Sequence, residues 1–149
     1  MIVDTDELEG LRGRVALVDG GFDPLHQGHI GYFRAASEIG LPVLCNVSPD
    51  TWVARKHPVL LPQDDRAAVI DAIRWIDYVH VSTTSTADVL RLLQPRYYVK
   101  GADWRGRLPG EEQSMCASLG IEIRYLDTVT NSSSDLVERL LERVERSEQ

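Results

Sequence analysis

The chain has 149 residues, of which 43% are hydrophobic, and its 16 Lys and Arg residues against 23 Asp and Glu residues give a formal charge of −7. A chain of this length and composition can bury a substantial core, which excludes disordered and fibrous proteins and predicts a single domain over residues 1–149. The acidic balance argues against sequence-independent nucleic-acid binding, because such proteins need a surplus of Lys and Arg to displace counterions from phosphate.

The amino-terminal residues and the apolar runs bear on localisation. Residues 1–10 carry four acids and no base, which is the reverse of a signal peptide. No apolar run approaches the ~20 residues of a membrane span. Cys45 and Cys116 have no partner at a metal-binding or redox spacing, so we expect both to be reduced and packed. Together these features predict a cytoplasmic protein that does not associate with membranes.

The first half of the chain alternates between strand and helix patterns. An unbroken apolar centre predicts a buried strand over residues 14–19, and apolar residues at helical spacing predict a helix over 28–39. A second strand is predicted over 43–47. Residues 48–61 are interpreted as a long loop, and a proline followed by acidic residues indicates a second helix over 62–76.

The second half of the chain continues this alternation. The predicted elements are strands over 77–81, 96–99 and 121–126 and helices over 87–93, 111–119 and 133–144. In the last helix, Leu136, Leu140, Leu141 and Val144 form an apolar stripe. Strict alternation predicts the α/β class, as a Rossmann-like three-layer α/β/α fold with a five-stranded parallel sheet.

Parallel sheets bind ligands beyond the carboxyl ends of their strands, where the strand order reverses. The loops that we expect to meet there are 20–29, 55–56, 100–107 and 128–134. The strongest chemical signal is in the first of them, GGFDPLHQGH. Its two glycines let the backbone approach a ligand closely, and the start of the following helix offers unpaired N–H groups and a positive dipole end that favour phosphate.

Two histidines of this first loop are candidates for catalysis. His26 and His29 are three residues apart, so they share a helix face and can donate hydrogen bonds to phosphate oxygens as charge builds in a transition state. The simpler interpretation is a tight turn capped by Asp23, with two surface histidines. The chain has four histidines and half of them lie in this loop, which favours the catalytic interpretation.

The loop matches the GxFDxxHxGH signature of the cytidylyltransferase-like nucleotidyltransferases, and the resemblance extends over nearly the whole chain. Further matching segments are RK at 55–56, PQDDR at 62–66, IDYVHV at 76–81, YVKGADW at 98–104 and SSSDLVERL at 132–140. Their order resembles that of the bacterial heptose-1-phosphate nucleotidyltransferase domain and of glycerol-3-phosphate cytidylyltransferase. The resemblance implies a homodimeric, Mg²⁺-dependent enzyme that joins an NTP to a phosphorylated alcohol or sugar and releases pyrophosphate.

The resemblance also assigns roles to residues by motif position. His26 and His29 would stabilise the transition state at the α-phosphate, and Lys56 would follow the phosphates as its loop closes, which makes these three the predicted catalytic residues. Lys100 and Arg55 would contact the acceptor substrate. The residues predicted to bind the nucleotide are Gly20, Gly21, Phe22, Asp23, Gly28, Asp103, Trp104, Ser132, Ser133, Ser134 and Arg139. No protein metal site is predicted, since Mg²⁺ would bridge the phosphates of the NTP.

Some of these residues have simpler interpretations. Lys56 could be a solvated surface residue, but the chain has two lysines against 14 arginines, and both lysines fall in the candidate site loops. Trp104 could cover the sheet edge as a hydrophobic plug. The three serines could cap a helix, but Arg139 at the matching offset favours phosphate binding.

Departures from the family pattern bear on the substrate. Thr130 and Asn131 precede the serines where relatives usually carry glycine, and Asp127 stands where the glycerol-3-phosphate enzymes carry an arginine. YVKGADW and PQDDR more closely resemble the heptose-phosphate branch. The predicted function is transfer of a nucleoside monophosphate from an NTP, with ATP favoured, to a phosphorylated sugar such as heptose 1-phosphate. The alternatives are a CTP-dependent enzyme for glycerol 3-phosphate, another polyol phosphate or a phosphonate, and a non-catalytic nucleotide-binding sensor on the same fold.

Overall fold

A computed structural model describes residues 1–127 and 133–149 of the chain. Within these residues five strands form one parallel sheet of order β3-β2-β1-β4-β5. The strands are β1 (Ala16–Gly20), β2 (Val43–Val47), β3 (Tyr78–Val81), β4 (Tyr97–Gly101) and β5 (Glu122–Leu126). The central residues of β1, β2 and β4 are buried and apolar without alternation because both faces of the sheet are covered there.

Helices connect the strands and cover both faces. The α-helices of the described residues are α1 (Gln27–Ser37), α2 (Asp50–Val53), α3 (Gln63–Asp71), α4 (Thr86–Leu93), α5 (Gly110–Leu119) and α6 (Ser133–Ser147). On one face, Phe33 of α1 and Ile70 of α3 pack with Val18 and Cys45 of the sheet. On the other, Leu90 of α4 and Cys116 of α5 pack with residues that include Leu17 and Tyr98. The predicted Rossmann-like α/β/α fold is confirmed.

The predicted helix over 62–76 is shorter in the structure, because α3 ends at Asp71. Beyond it, the backbone N–H groups of Ile73 and Ile76 donate to the carbonyls of Ile70 and Ile73, in two successive turns. Both isoleucines still reach the core beside α1 and α3. Helical spacing of apolar residues therefore continues past the end of the helix, since the turns point the same face inwards.

Three short helical segments were not predicted. The segment 48–61, interpreted as a loop, contains α2, and 3₁₀ helices occupy Thr5–Leu11 and Ala102–Trp104. Each is too short to show a helical period in the sequence. The first of the 3₁₀ helices buries Leu8 completely against the α4 side of the sheet, which gives the acidic amino-terminal segment a structural role.

The apolar stripe of α6 is only partly buried. Val137 is 4% exposed, whereas Leu140, Leu141 and Val144 are 53%, 48% and 46% exposed. The described parts of the chain therefore leave most of the predicted stripe uncovered. Cys45 and Cys116 are buried and carry free thiols, as expected. None of the helices in the described residues has the length and hydrophobicity of a membrane span.

Candidate active site

A cavity of about 730 Å³ opens at the carboxyl ends of the strands, beside β1 and β4, where the strand order reverses. This is the position at which parallel sheets bind ligands. The predicted site residues that line it are Gly20, Gly21, Phe22, Asp23, His29, Arg55, Lys56, Lys100, Asp103, Trp104, Ser133 and Ser134. Loops that are far apart in the sequence thus meet at one cavity.

Three predicted residues in the described part of the chain are not part of the cavity wall: His26, Gly28 and Arg139. His26 caps α1, and Gly28 lies in its first turn. Arg139 is exposed on α6, so the structure does not bring it together with the phosphate-binding candidates. Ser132 lies outside the described residues, so its predicted role stays a prediction.

The two glycines of the first loop make room for neighbouring side chains. A Cβ atom on Gly20 would lie 3.0 Å from the Phe22 ring, and one on Gly21 would lie 3.2 Å from a methyl group of Val53. Phe22 itself adopts a left-handed backbone with φ of 53°. Close packing of Phe22 on Gly20, and of Val53 in α2 on Gly21, therefore favours glycine at both positions, in addition to access for a ligand.

The histidine pair is fixed by backbone hydrogen bonds. His26 is the amino-terminal cap of α1, and its Nδ1 accepts from the Gly28 N–H at 3.0 Å. Nδ1 of His29 accepts from the His26 N–H at 3.2 Å, and the two rings stack with centroids 3.8 Å apart. Since a neutral imidazole carries one proton, each ring must hold it on Nε2. The amino-terminal cap of α1 is therefore His26 rather than Asp23.

The environment of His29 keeps its imidazole neutral. Burial, and secondly the nearby His26, lower the pKa of His29 from 6.5 to about 3. The ring also meets Phe22 edge-on at 5.0 Å between centroids. At neutral pH the His29 side chain is therefore an uncharged hydrogen-bond donor on the wall of the cavity.

This depressed pKa makes stability depend on pH. Between pH 6.5 and about 3 the unfolded chain binds more protons at His29 than the folded chain. The free energy of unfolding that depends on a neutral His29 is therefore fully present above pH 6.5, and it is lost as the pH falls towards 3. We expect His29→Asn to flatten the slope of unfolding free energy against pH by up to about 1.4 kcal/mol per pH unit. Urea unfolding at pH 4.5, 5.5 and 6.5 measures this, and equal slopes would contradict it.

Asp23 anchors one end of a loop beside the cavity. The Asp23 carboxylate accepts from the N–H groups of Leu60 and Leu61 at 2.8 and 3.0 Å, although its motif position predicted contact with the nucleotide. It is 1% exposed and it also borders the cavity. The carboxylate thus fixes the end of the segment that carries Lys56.

Arg66 on α3 was not predicted as a site residue. Its guanidinium is buried and donates to the carbonyls of Leu61, Gly21 and Ser48 at 2.6–2.9 Å, and to the Asp50 carboxylate at 2.6 Å. These partners belong to three segments that border the cavity. PQDDR was interpreted as a helix start and as a segment that resembles the family, and neither interpretation indicated that its arginine points inwards.

The two lysines differ in their surroundings. Lys56 is exposed on the segment after α2, with its ammonium 4.1 Å from the centroid of the Trp52 ring. Partial burial, and secondly the charge of Lys100, lower its pKa. Lys100 is 6% exposed, and its Nζ lies 2.9 Å from Asp19 Oδ1 and 4.2 Å from the centroid of the Trp104 ring. Lys100 is therefore paired within the protein while it lines the cavity, and its predicted contact with the acceptor substrate stays a prediction.

Several polar residues missed by the motif matches also line the cavity, among them Asp19, Thr86 and Glu112. Asp19 Oδ2 accepts from Tyr98 OH at 3.1 Å and from Thr86 Oγ1 at 3.3 Å. Tyr98 OH also lies 2.6 Å from Glu112 Oε1. The position of Asp19 at the carboxyl end of a predicted strand could have indicated a residue of the site. Its hydrogen-bond partners could not be predicted, because they lie 67–81 residues away in sequence.

A family model for cytidylyltransferase-like proteins matches residues 17–139, which include the histidine pair and nearly all of the five-stranded sheet. The chain belongs to the cytidylyltransferase-like family. The resemblance inferred from residues 20–29 is therefore confirmed.

Two curated relatives of this cytidylyltransferase-like chain are bifunctional proteins. It is 31% identical over 150 residues to the bifunctional protein HldE of Syntrophotalea carbinolica, covering 96% of this chain and 30% of the relative. It is 30% identical over 133 residues to the bifunctional protein HldE of a Nitratiruptor species, covering 85% of this chain and 28% of the relative. The chain thus spans less than a third of the length of these curated relatives.

Solved structures share the fold of the cytidylyltransferase-like chain. The lipopolysaccharide core biosynthesis protein of Thermoplasma volcanium superposes with a TM-score of 0.66 at 21% identity, covering 79% of this chain and 98% of that one. Pantothenate synthetase of Thermus thermophilus superposes with a TM-score of 0.56 at 17% identity, covering 84% of this chain and 60% of that one. At these identities the likeness concerns the fold alone.

Proposed function

We propose that this chain is a nucleotidyltransferase that transfers a nucleoside monophosphate from an NTP, with ATP favoured, to a phosphorylated sugar such as heptose 1-phosphate. The observation that carries the proposal is His29, held as a neutral Nε2–H donor beside the amino terminus of α1 and on the wall of the cavity. The HldE relatives support the choice of this branch of the family.

The proposed reaction is a direct displacement. A phosphate oxygen of the acceptor forms a bond to the α-phosphorus of the NTP, the bond from that phosphorus to the bridging oxygen breaks, and pyrophosphate leaves with the electron pair. No side chain needs to act as a nucleophile, so the protein has to position the reactants and stabilise charge. A binding module would not need a pair of imidazoles fixed in one tautomer, which favours the enzyme over the sensor.

Each proposed catalytic group acts on charge at the phosphates. The His29 Nε2–H would donate to the α-phosphate oxygens as their charge grows, and His26 fixes the position of that ring by stacking and capping. The N–H groups at the start of α1 favour the same anion. Lys56, on the anchored segment between α2 and Leu60, would leave the Trp52 ring and approach the leaving pyrophosphate.

The resemblance implies Mg²⁺, and the residues fit an ion held mainly by the substrate. Among residues 1–127 and 133–149, no group of three or more metal-ligating side chains is present. The Asp19 carboxylate already accepts from Lys100, Tyr98 and Thr86. We therefore propose that Mg²⁺ binds through triphosphate oxygens and water, as it commonly does with nucleotides. When bound, it would neutralise charge on the leaving group.

Pyrophosphate release tests the proposed function. The purified chain is incubated with Mg²⁺, each of the four NTPs and one acceptor from a set comprising heptose 1-phosphate, glycerol 3-phosphate and 2-aminoethylphosphonate. We expect release with ATP and heptose 1-phosphate. Release with CTP and glycerol 3-phosphate or the phosphonate would support the cytidylyltransferase alternative. Nucleotide binding in calorimetry without release from any pair would contradict the enzyme and favour the sensor.

The remaining proposals rest on the resemblance. We propose one nucleotidyltransferase domain that works as a cytoplasmic homodimer on an NTP and a small phosphorylated acceptor, with no nucleic acid or membrane as partner. Analytical ultracentrifugation of the purified chain at micromolar concentration tests the homodimer. We expect the sedimentation coefficient of a dimer, and that of a monomer would contradict the proposal.

A further inference from the structure

The two sides of the cavity differ in chemistry. His29 and the start of α1 lie over one face of the sheet, with Arg55 and Lys56 at the rim. Leu17 and Tyr98 belong to the core cluster on the opposite face, under α4 and α5. Because side chains alternate along a strand, Asp19 lies on that same face, where it meets Thr86. The cavity therefore has a phosphate-favouring side and a side built of carboxylates and hydroxyls.

The carboxylates on the α4–α5 side are linked by one shared hydroxyl. Tyr98 OH lies within hydrogen-bond distance of both Asp19 and Glu112, at 3.1 and 2.6 Å. A hydroxyl has one proton, so it can donate to only one of them, and both contacts are satisfied when Glu112 holds a proton of its own. Burial raises the pKa of Glu112 above its ordinary value, in agreement with this geometry. The protons of Tyr98, Glu112 and Thr86 are then used within the wall, and the lone pairs of Thr86 Oγ1 and of the two carboxyl groups can accept hydrogen bonds from a ligand.

These groups suit alcohols and disfavour phosphates. A sugar hydroxyl can donate a hydrogen bond to the acceptor atoms of Thr86, Glu112 and the Asp19 carboxylate. A phosphate dianion has no proton to donate to these acceptors. It also meets no net positive charge there, because the Lys100 ammonium is paired with the Asp19 carboxylate at 2.9 Å. The phosphates therefore belong on the α1 side, and the uncharged part of the acceptor faces the α4–α5 side.

We propose that Thr86 and Glu112, positioned by Tyr98 and Asp19, form the subsite that binds the acceptor's hydroxyl groups and so select a polyhydroxylated acceptor. This assignment rests on the proposed function. It gives the cavity two subsites, one for the triphosphate at α1 and one for the polyol at α4 and α5.

Two pairs of variants test the subsite, each with a conservative partner that keeps the hydrogen bond. Thr86→Val and Glu112→Met remove a polar group, whereas Thr86→Ser and Glu112→Gln retain one. With heptose 1-phosphate as the varied substrate, we expect the first two to raise KM about tenfold, the effect of losing one hydrogen bond. The conservative variants should stay within about threefold. Calorimetry with α,β-methylene ATP should give the same Kd, within about twofold, for all four.

The outcomes separate this subsite from the proposed function. An unchanged KM in Thr86→Val, or a nucleotide Kd that rises together with KM, would overturn the subsite while pyrophosphate release continued. Failure of the wild-type chain to release pyrophosphate from any NTP and acceptor would overturn the proposed function itself. If Glu112→Met fails to fold, as circular dichroism would show, the Thr86 pair alone decides, because Thr86 is only half-buried on the surface of α4.

Discussion

Replacing His29 by alanine is expected to lower kcat by about 10²–10³-fold while the Kd of the nucleotide changes by less than about threefold. The reason is that its Nε2–H donates to charge that develops on the α-phosphate mainly in the transition state, so its loss affects the rate more than binding. Pyrophosphate release under saturating substrates gives kcat, and calorimetry with α,β-methylene ATP gives Kd.

A matched control on the same helix is Gln27→Ala. Gln27 is exposed, in the same first turn as His29 but outside the cavity wall, so kcat should stay within about twofold of the wild-type value. Thermal unfolding of both variants separates a catalytic effect from loss of the capped first turn. Equal losses in nucleotide affinity and kcat for His29→Ala would show that His29 is a binding residue rather than a catalytic one.

The largest expected effect on stability is that of Arg66→Met. The free energy of unfolding should fall by about 3–5 kcal/mol, because the Asp50 carboxylate and three backbone carbonyls lose their donor. The loops that border the cavity lose their common anchor at the same time, so nucleotide affinity should also weaken. Urea unfolding followed by circular dichroism measures the first effect and calorimetry the second.

Arg91→Met is the matched control for Arg66→Met. Arg91 is an exposed arginine on α4, and its ion pair with Asp88 is long, at 3.8 Å. Removing a surface pair of this kind changes the free energy of unfolding by about 0.5 kcal/mol or less. A loss below about 1 kcal/mol in Arg66→Met would mean that water replaces the guanidinium and that Arg66 does not anchor the loops.

Local pattern was sufficient to predict the order and type of the main elements. Val43–Val47 was predicted at its observed boundaries, because its apolar run follows a proline and is covered on both faces. Strand order was not predictable, since it depends on which strands meet after the chain crosses the sheet. The end of α3 was misplaced for a related reason: Ile73 and Ile76 keep helical spacing while they lie in turns.

The motif loop located the candidate site, but the partners of its residues could not be predicted. Asp19 and Lys100 are 81 positions apart, and no spacing rule indicates that they form an ion pair. Thr86 and Glu112 lie in segments that match no motif quoted for the family. Their contribution depends on α4 and α5 packing on the same face of the sheet, which is a tertiary property.

The anchors at the two ends of residues 54–59 have a consequence for the reach of Lys56. Arg66 holds Ser48 and Asp50 before this segment, and Asp23 holds Leu60 and Leu61 after it. The distance that the Lys56 ammonium can travel is therefore set by the number of residues between two fixed points, at no more than ~3.6 Å each when extended. The length of this segment thus limits how far the Lys56 ammonium can move from the Trp52 ring towards the phosphates of the proposed substrate, and a deletion would shorten that distance.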